Sequence, residues 1–270
     1  MILYGIFEIG KAKTARSPLP DVKMIDFHCH LLPGIDDGSK SVGESLEMLR
    51  EMKCQGMAAV VATPHYIAED EYPDGFLRRR AEAEMALEKV ICDDGFPAIY
   101  SGAEVFYFRG MGRTRELEKL CISGTKYMLV EMPPEEWDEH VIDDISDIRS
   151  VLGLYPIIAH IERYLSPANE KMLNPLADAG AIFQSNAEFF IEKRTRKKAM
   201  DFFGKSEILL LGSDAHGANA RRPNLREGLE YINDRFGDEA LENLCKYGEK
   251  IICDALPICR SHGAAATDNP

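Results

Sequence analysis

Short apolar runs alternate along this chain with longer stretches in which apolar residues recur every three or four positions. Runs of four to eight β-branched or apolar residues suit buried strands, and the helical period suits helices packed against them. Seven runs read as strands: 23–28, 58–62, 98–102, 127–131, 156–160, 181–185 and 208–212. A helix after the first is predicted from Ser41 and Glu44, spaced as a capping box, and from Leu46, Leu49 and Met52 on one face, with Gly56 as its end. Further helical patterns lie at 76–91, 115–121, 143–152, 169–179 and 194–203. This alternation predicts an α/β fold, a parallel sheet with crossover helices. A closed or nearly closed seven-stranded barrel fits a chain of 270 residues, because β/α barrels run to about 250 residues. An open doubly wound sheet is the alternative. Residues 1–22 read as a peripheral extension, 23–256 as one domain and 257–270 as a tail.

Composition narrows the function more than the fold. The net charge of -13 excludes a broad electrostatic grip on nucleic acid, which needs clustered Lys and Arg to displace counterions. Seven cysteines, an odd number with no CxxC pair, suit a reducing cytoplasm. The longest uncharged run, 54–68, is shorter than the roughly 20 apolar residues of a spanning helix, and it contains Pro64 and His65, so no membrane span is expected. The first 13 residues have no basic start and no long apolar stretch, which argues against a secretory signal.

In β/α barrels, reactive side chains gather at the carboxyl ends of the strands, because the loops that follow all open on one face. Six of the seven strand ends here carry a possible metal ligand: His28 and His30 with Asp36-Asp37 shortly after, His65, Glu104, Glu131, His160, and Asp214 with His216. Alone, each is most simply a structural histidine, a helix cap or a solvated charge. Together they change the picture. His28 and His30 stand two apart on an extended segment and point to the same side, and Asp214 with His216 repeats that spacing. Such a mixed nitrogen and oxygen set, without thiolates, suits a catalytic Mn, Fe or Zn site of several ions better than Ca or a structural zinc. Cys29 alternates with the two histidines and reads as a packing residue, while His140 and His262 read as surface residues.

Competing chemistries fail on spacing. No cysteine has an arginine six positions later, as the loop of a cysteine-dependent tyrosine phosphatase requires. Gly204-Lys205-Ser206 ends like a phosphate-binding loop, but Ala199 stands where its first glycine belongs, and there is no GxSxG elbow.

The segments MIDFHCHLLPGIDDG, ATPHY, GAEVFY, IAHIERY and LLGSDAHGANARRP together resemble the PHP superfamily, and most closely its CpsB/CapC-type branch. That branch comprises manganese-dependent bacterial protein-tyrosine phosphatases associated with capsule and exopolysaccharide synthesis. The resemblance runs from about 24 to 256. It implies a distorted seven-stranded TIM-like barrel with three divalent ions, Mn first and Fe or Zn as alternatives. Carried over by motif, His28, His30, Glu104 and Asp214 would hold one ion, Glu104, Glu131 and His160 a second, and Asp37, His65 and His216 the third. Asp37 is taken over Asp36 from the family alignment. Glu131 stands where many other superfamily members have His, which favours the phosphatase branch over the polymerase-linked exonucleases. Arg163 and Arg222 match basic positions of the family and are the candidate phosphate contacts. The departures are the extension at 1–22 and Cys29, where Ser is usual.

The resemblance also implies a reaction: a metal-bridging hydroxide attacks phosphorus in line and expels the aryl oxide, with no covalent enzyme intermediate. Phenoxide leaves readily, so aryl phosphates and a neutral-to-alkaline optimum are expected. The implied substrate is the phosphotyrosine tail of a bacterial polysaccharide-synthesis kinase, met in the cytoplasm at the inner membrane face. Other readings are a phosphatase of a small metabolite such as histidinol phosphate, on the same metals, and a non-catalytic metal-binding regulatory barrel.

Overall fold

The computed structural model describes residues 19–91, 95–205 and 207–258. Residues 1–18 and 259–270, with most of the expected extension and His262, lie outside them. The fold is α/β, built on parallel strands that curl. Its strands are β1 (Met24–Cys29), β2 (Met57–Ala62), β3 (His65–Tyr66), β4 (Ala98–Ser101), β5 (Glu104–Phe106), β6 (Tyr127–Glu131), β7 (Tyr155–Ile158), β8 (Ile182–Asn186) and β9 (Leu210–Gly212). The second and third expected strands correspond to β2 and β4, and each is followed after a two-residue break by a further short strand, β3 or β5, that was not expected. Pro64 lies in the first break, where it has no N–H to give to a ladder. The second break falls at Gly102 and Ala103.

The hydrogen bonds define two sheets and not one ring of seven: β1-β2-β4, and β3-β5-β6-β7-β8-β9. Because β3 continues β2 and β5 continues β4, the chain passes from the first sheet into the second twice. At the far edge, a parallel bridge joins Cys29 to Ala215, and His30 N–H donates to the Ala215 carbonyl at 2.9 Å. The start and end of the strand series therefore meet at the carboxyl end, where the candidate ligands lie.

The helices are α1 (Val42–Cys54), α2 (Pro73–Glu88), α3 (Glu139–Ser150), α4 (Leu173–Asp178), α5 (Ala187–Ile191), α6 (Arg196–Gly204), α7 (Leu225–Phe236) and α8 (Asp238–Ile252). Ser41 caps α1 as expected, accepting from Glu44 N–H at 3.2 Å, but the Glu44 carboxylate reaches back one residue further, to Lys40 N–H at 2.8 Å. The helix expected at 115–121 is a 3-10 helix, Arg115–Leu120, and that at 169–179 begins as one, Asn169–Met172, before α4. Helices α7 and α8 have no counterpart among the sequence expectations.

Two apolar clusters hold these layers together. The larger joins Met48, Leu49 and Met52 of α1 to Val60 and Ala62 of β2. The smaller takes the alternate residues, Ala59, Val61, Leu129, Ile157, Ile182 and Leu210, with Ile251 of α8. On β1, Ile25 and Phe27 belong to the smaller cluster while Cys29 belongs to the larger, and the register shift between Asp26 and Cys29 is where the strand changes face. Cys29 is buried in packing, as expected, and His140 is exposed. The last described residues close over an edge: Tyr100 makes an antiparallel bridge with Pro257, and Ile258 N–H donates to the Ile99 carbonyl at 2.7 Å. Residues 257 and 258 thus belong to the folded body and not to the tail.

Packing of α8 on β1 leaves no room at Gly248, where an added Cβ would stand 2.8 Å from the Phe27 ring. Gly248→Ala therefore sets a gain in helix propensity of about 1 kcal/mol against overpacking of about 1–3 kcal/mol. We expect overpacking to win, so that the urea midpoint falls, and Phe27→Leu in the same chain to recover most of the loss. A variant more stable than the parent would mean that the helix shifts freely over the sheet.

Candidate metal centre

The nine expected ligands converge on one buried point, Glu104 at the start of β5. Its Oε2 is 3.1 Å from His28 Nε2, 3.2 Å from His30 Nε2 and 3.1 Å from His65 Nδ1, while Oε1 is 2.7 Å from His160 Nε2. Asp214 Oδ1 lies 3.6 Å from the Nε2 atoms of both His28 and His30. Glu131 Oε1 lies 3.6 Å from His160 Nε2, and Asp37 Oδ1 is 3.3 Å from His216 Nε2 and 3.5 Å from His65 Nε2. His28, His30, Glu104, His160 and Asp214 are buried, whereas Asp37 is exposed at the rim.

Backbone geometry brings them together. His28 and His30 share one side of β1 and its continuation. His160 and Asp214 follow β7 and β9 in the left-handed region, with φ of 31° and 53°. This conformation, unfavourable for residues other than glycine, turns each chain sharply at the strand end.

Several groups whose roles the sequence reading missed complete the arrangement. Asp36 is the partner of an imidazole: its Oδ2 accepts from His30 Nδ1 at 2.8 Å and from His65 N–H at 3.0 Å, which leaves His30 Nε2 facing Glu104. Tyr164 OH accepts from Met132 N–H at 3.1 Å and sits 3.2 Å from His160 Nδ1. Gln184 and Asn186, on the one strand where no ligand was expected, reach His28, His160 and Asp214. Their signal was present: two amide residues spaced two apart at a strand end.

Arg163 reaches the centre and pairs with Asp214 Oδ2. Arg222 does not, for its guanidinium turns to Glu51 on α1 at 3.3 Å. The neighbouring Arg221 takes the place, 2.6 Å from Asp214 Oδ2, held in the left-handed region at φ 49°. Both Asp214-bound guanidiniums line a cleft of about 500 Å³, lined also by Phe189, Ile191, Glu162, Glu188, Glu227 and Arg222.

The electrostatics follow from carboxylates and imidazoles forced together away from water. Burial by itself would lower the His28 and His30 pKa values, but Glu104 with Asp214 raises the first, and hydrogen bonds to Asp36 and Glu104 raise the second to about 10. Burial by itself would likewise raise the acids, yet the imidazoles hold Glu104 well below the usual carboxylate range, and His28 and Arg163 hold Asp214 at about 2. For His160 and His216 burial prevails and lowers each to about 4. A proton on His30 would thus do in this arrangement what a cation would do.

The donor set fits divalent ions. Four groups of side chains each bring ligand atoms within 4.8 Å of one another: His30, Asp37, His65 and His216; His28, Glu104 and His160; His28, His30 and Asp214; and His65, Glu104 and Glu131. Glu104 Oε2 is buried and has no hydrogen-bond partner of good geometry, despite three imidazole nitrogens close by. A buried carboxylate oxygen ringed by imidazole nitrogens, which offer lone pairs once their protons are lost, is the environment of a metal ligand.

Comparison with known proteins agrees with this geometry. Residues 24–253 match the family described as capsular polysaccharide synthesis, CpsB/CapC. The tyrosine-protein phosphatase CpsB of Streptococcus pneumoniae is 31% identical over 250 residues, covering 86% of this chain and 100% of that protein. A crystal structure from work on YwqE of Bacillus subtilis and CpsB of Streptococcus pneumoniae, described as metal-dependent tyrosine phosphatases, superposes with a TM-score of 0.74 at 25% identity, over 88% of this chain and 100% of the other. Histidinol phosphate phosphatase of Lactococcus lactis shares the fold, with a TM-score of 0.50 at 14% identity over 81% of this chain and 94% of its own.

Metal binding should stabilise the folded chain by mass action, by about 4 kcal/mol per site when free ion exceeds Kd a thousandfold. Melting of chelator-stripped protein with added Mn is expected to show a large upward shift, lost in Glu104→Ala. Imidazoles must shed protons before they ligate, so the shift should grow as pH rises from 6 to 8. An equal shift in the variant would show that the ions bind elsewhere.

Proposed function

The chain belongs to the CpsB/CapC family, and from that premise we propose that it is a metal-dependent phosphatase that hydrolyses phosphotyrosine on protein. The observation that carries this reading is the gathering of nine candidate ligand residues, Glu104 at their centre, beside a cleft in which two guanidiniums both rest on Asp214. We read the two sheets as one distorted seven-stranded barrel, and the ligand groups as seats for three divalent ions, with Mn as the physiological metal.

The ligand carboxylates Asp37, Glu104, Glu131 and Asp214 contribute four negative charges, so three divalent ions, with the guanidiniums of Arg163 and Arg221 beside them, would leave the centre positive, as binding of a phosphate monoester dianion requires. Bound ions of this kind neutralise phosphoryl oxygens and lower the pKa of water near phosphorus. The chain's own residues do the rest. His28, His30, His65, His160 and His216 offer neutral nitrogen ligands, each needing its second ring nitrogen held by a neighbour. Arg163 and Arg221 offer fork-shaped donors to the cleft, able to exchange Asp214 for phosphoryl oxygens that gain charge as the ester bond breaks. Phe189 and Ile191 provide an apolar wall for an aryl group.

The macromolecular substrate we propose is the phosphotyrosine tail of a polysaccharide-synthesis tyrosine kinase, met in the cytoplasm at the inner face of the membrane. Among the described residues no helix is long and apolar enough to cross a membrane.

Stripped protein resupplied with Mn, Fe, Zn or Mg should hydrolyse p-nitrophenyl phosphate and a phosphotyrosine peptide with Mn, and Asp214→Ala should be silent. Arg163→Ala and Arg221→Ala are each expected to lower kcat/KM by about a hundredfold, the usual loss for a donor aimed at developing charge, whereas Arg222→Ala should stay within about threefold. Histidinol phosphate turned over faster than the peptide would replace the protein substrate with a small metabolite. No turnover with any metal would leave a non-catalytic metal-binding barrel.

A further inference from the structure

Strand β8 carries no metal-binding residue type at its end, yet all five of its residues are buried. Gln184 and Asn186, two apart and so on one side of the strand, form a connected chain of hydrogen bonds. Gln184 Oε1 accepts the main-chain N–H of His160 at 2.8 Å and lies 3.3 Å from His28 Nδ1. Gln184 Nε2 donates to Asn186 Oδ1 at 3.1 Å, and Asn186 Nδ2 donates to Asp214 Oδ2 at 2.9 Å. The relay thus touches three expected ligands that come from three different strands.

The direction of the relay is fixed from both ends. A main-chain N–H can only donate, so the Gln184 atom facing His160 must be its oxygen. A carboxylate that holds two guanidiniums can only accept, so the Asn186 atom facing Asp214 must be its nitrogen. These two requirements, set 54 residues apart in sequence, select the same amide orientations. It follows that His28 Nδ1 faces an acceptor and must itself carry a proton. In the neutral ring, His28 Nε2 is then the nitrogen that keeps its lone pair, directed toward Glu104 at 3.1 Å. Gly212 on β9 leaves the space this requires, since a Cβ there would lie 2.9 Å from Gln184 Nε2 and 2.5 Å from the His28 Cβ.

We propose that Gln184 is a positioning residue of the metal centre: acting with Asn186, it sets the His28 tautomer and holds His28, His160 and Asp214 in mutual register for the ions. This rests on the metal-centre reading above, but the tautomer part stands without it. Metal ligands that are histidines need their second ring nitrogen fixed, and removal of such a partner commonly weakens metal affinity about 10- to 100-fold. Most sites use a carboxylate or a carbonyl for this purpose, as Asp36 does for His30. A neutral amide differs from a carboxylate in one respect: it accepts on one side and donates on the other. A single side chain therefore couples a histidine to a carboxylate ligand without adding charge.

Two variants separate these roles. Gln184→Met keeps the length and removes both functions; Gln184→Glu keeps the acceptor for His28 and His160 but loses the donor to Asn186. Nitrogen-15 NMR of the imidazoles, on metal-free protein at alkaline pH where the rings are neutral, reads the tautomer, and calorimetric titration of stripped protein with Mn reads affinity. The expected result is His28 protonated on Nδ1 in the parent and in Gln184→Glu, with mixed tautomers in Gln184→Met. Mn affinity should fall about 10- to 100-fold in Gln184→Met and by a smaller factor in Gln184→Glu. A parent His28 protonated on Nε2 would overturn the proposal, and so would a folded Gln184→Met that binds Mn as the parent does. If Gln184→Met fails to fold, the parent spectrum and Gln184→Glu still decide. If the parent shows the Nδ1 tautomer but binds no Mn, the relay holds and the metal reading is what fails.

Discussion

Everything at the carboxyl end of this fold depends on one buried carboxylate. Glu104 is 1% exposed and is approached by nitrogens of His28, His30, His65 and His160. A lone ionised carboxyl at such depth would lose several kcal/mol of solvation, and four neutral imidazoles could not restore it. The cluster is consistent only if positive charge resides among the imidazoles, either as protons or as metal ions. The same constraint explains the outer ring: Asp36 holds His30, the amides of β8 hold His28 and His160, and two arginines hold Asp214. Each ring nitrogen or carboxylate oxygen turned away from Glu104 needs a partner of its own, because water cannot supply one there.

The main chain bends to satisfy that requirement. A regular barrel strand would point alternate residues inward along its whole length, which places two ligands per strand at most. Here β2 and β4 each stop and restart, around Pro64 and around Gly102 with Ala103, so that β3 and β5 present His65 and Glu104 in a new register, paired directly across the ladder. The left-handed residues His160 and Asp214 achieve the same after β7 and β9. Each left-handed residue costs about 1–2 kcal/mol of local strain, tolerated because hydrogen bonds from His160 N–H to Gln184 and from Asp214 N–H to the His28 carbonyl hold it.

These features also show why parts of the molecule could be read from sequence and others could not. The strands and the candidate ligands were legible because alternation and residue type are local properties: His28 and His30 had to share a side wherever their strand went. The division into two sheets was not, since Pro64 and Gly102 signal a break but not which neighbour the chain will pair with after it. Asp36 and Asp37 differ in role only through distance to His30 and His216, which no spacing encodes. Arg221 and Arg222 are adjacent and chemically alike. A left-handed turn at Arg221 sends one guanidinium to Asp214 and leaves the other to α1, and that turn is set by contacts such as the His216 N–H to Arg221 carbonyl bond. Helices α7 and α8 carry ordinary amphipathic patterns, Leu225, Leu229 and Ile232 among them, but follow the last strand, where the strand-then-helix rhythm that guided the reading had ended.

The overall charge bears on how such a centre meets its substrate. The chain carries -13, and a phosphorylated protein tail brings further negative charge, so long-range attraction cannot draw the two together. Recognition must then act within a Debye length, about 8 Å at physiological ionic strength, where the two guanidiniums on Asp214 and any divalent ions held by the centre dominate the local field. Glu188 and Glu227 on the cleft wall work in the opposite sense: they repel a free dianion that approaches from that side and favour a phosphate carried on a chain whose flanking groups are neutral or basic.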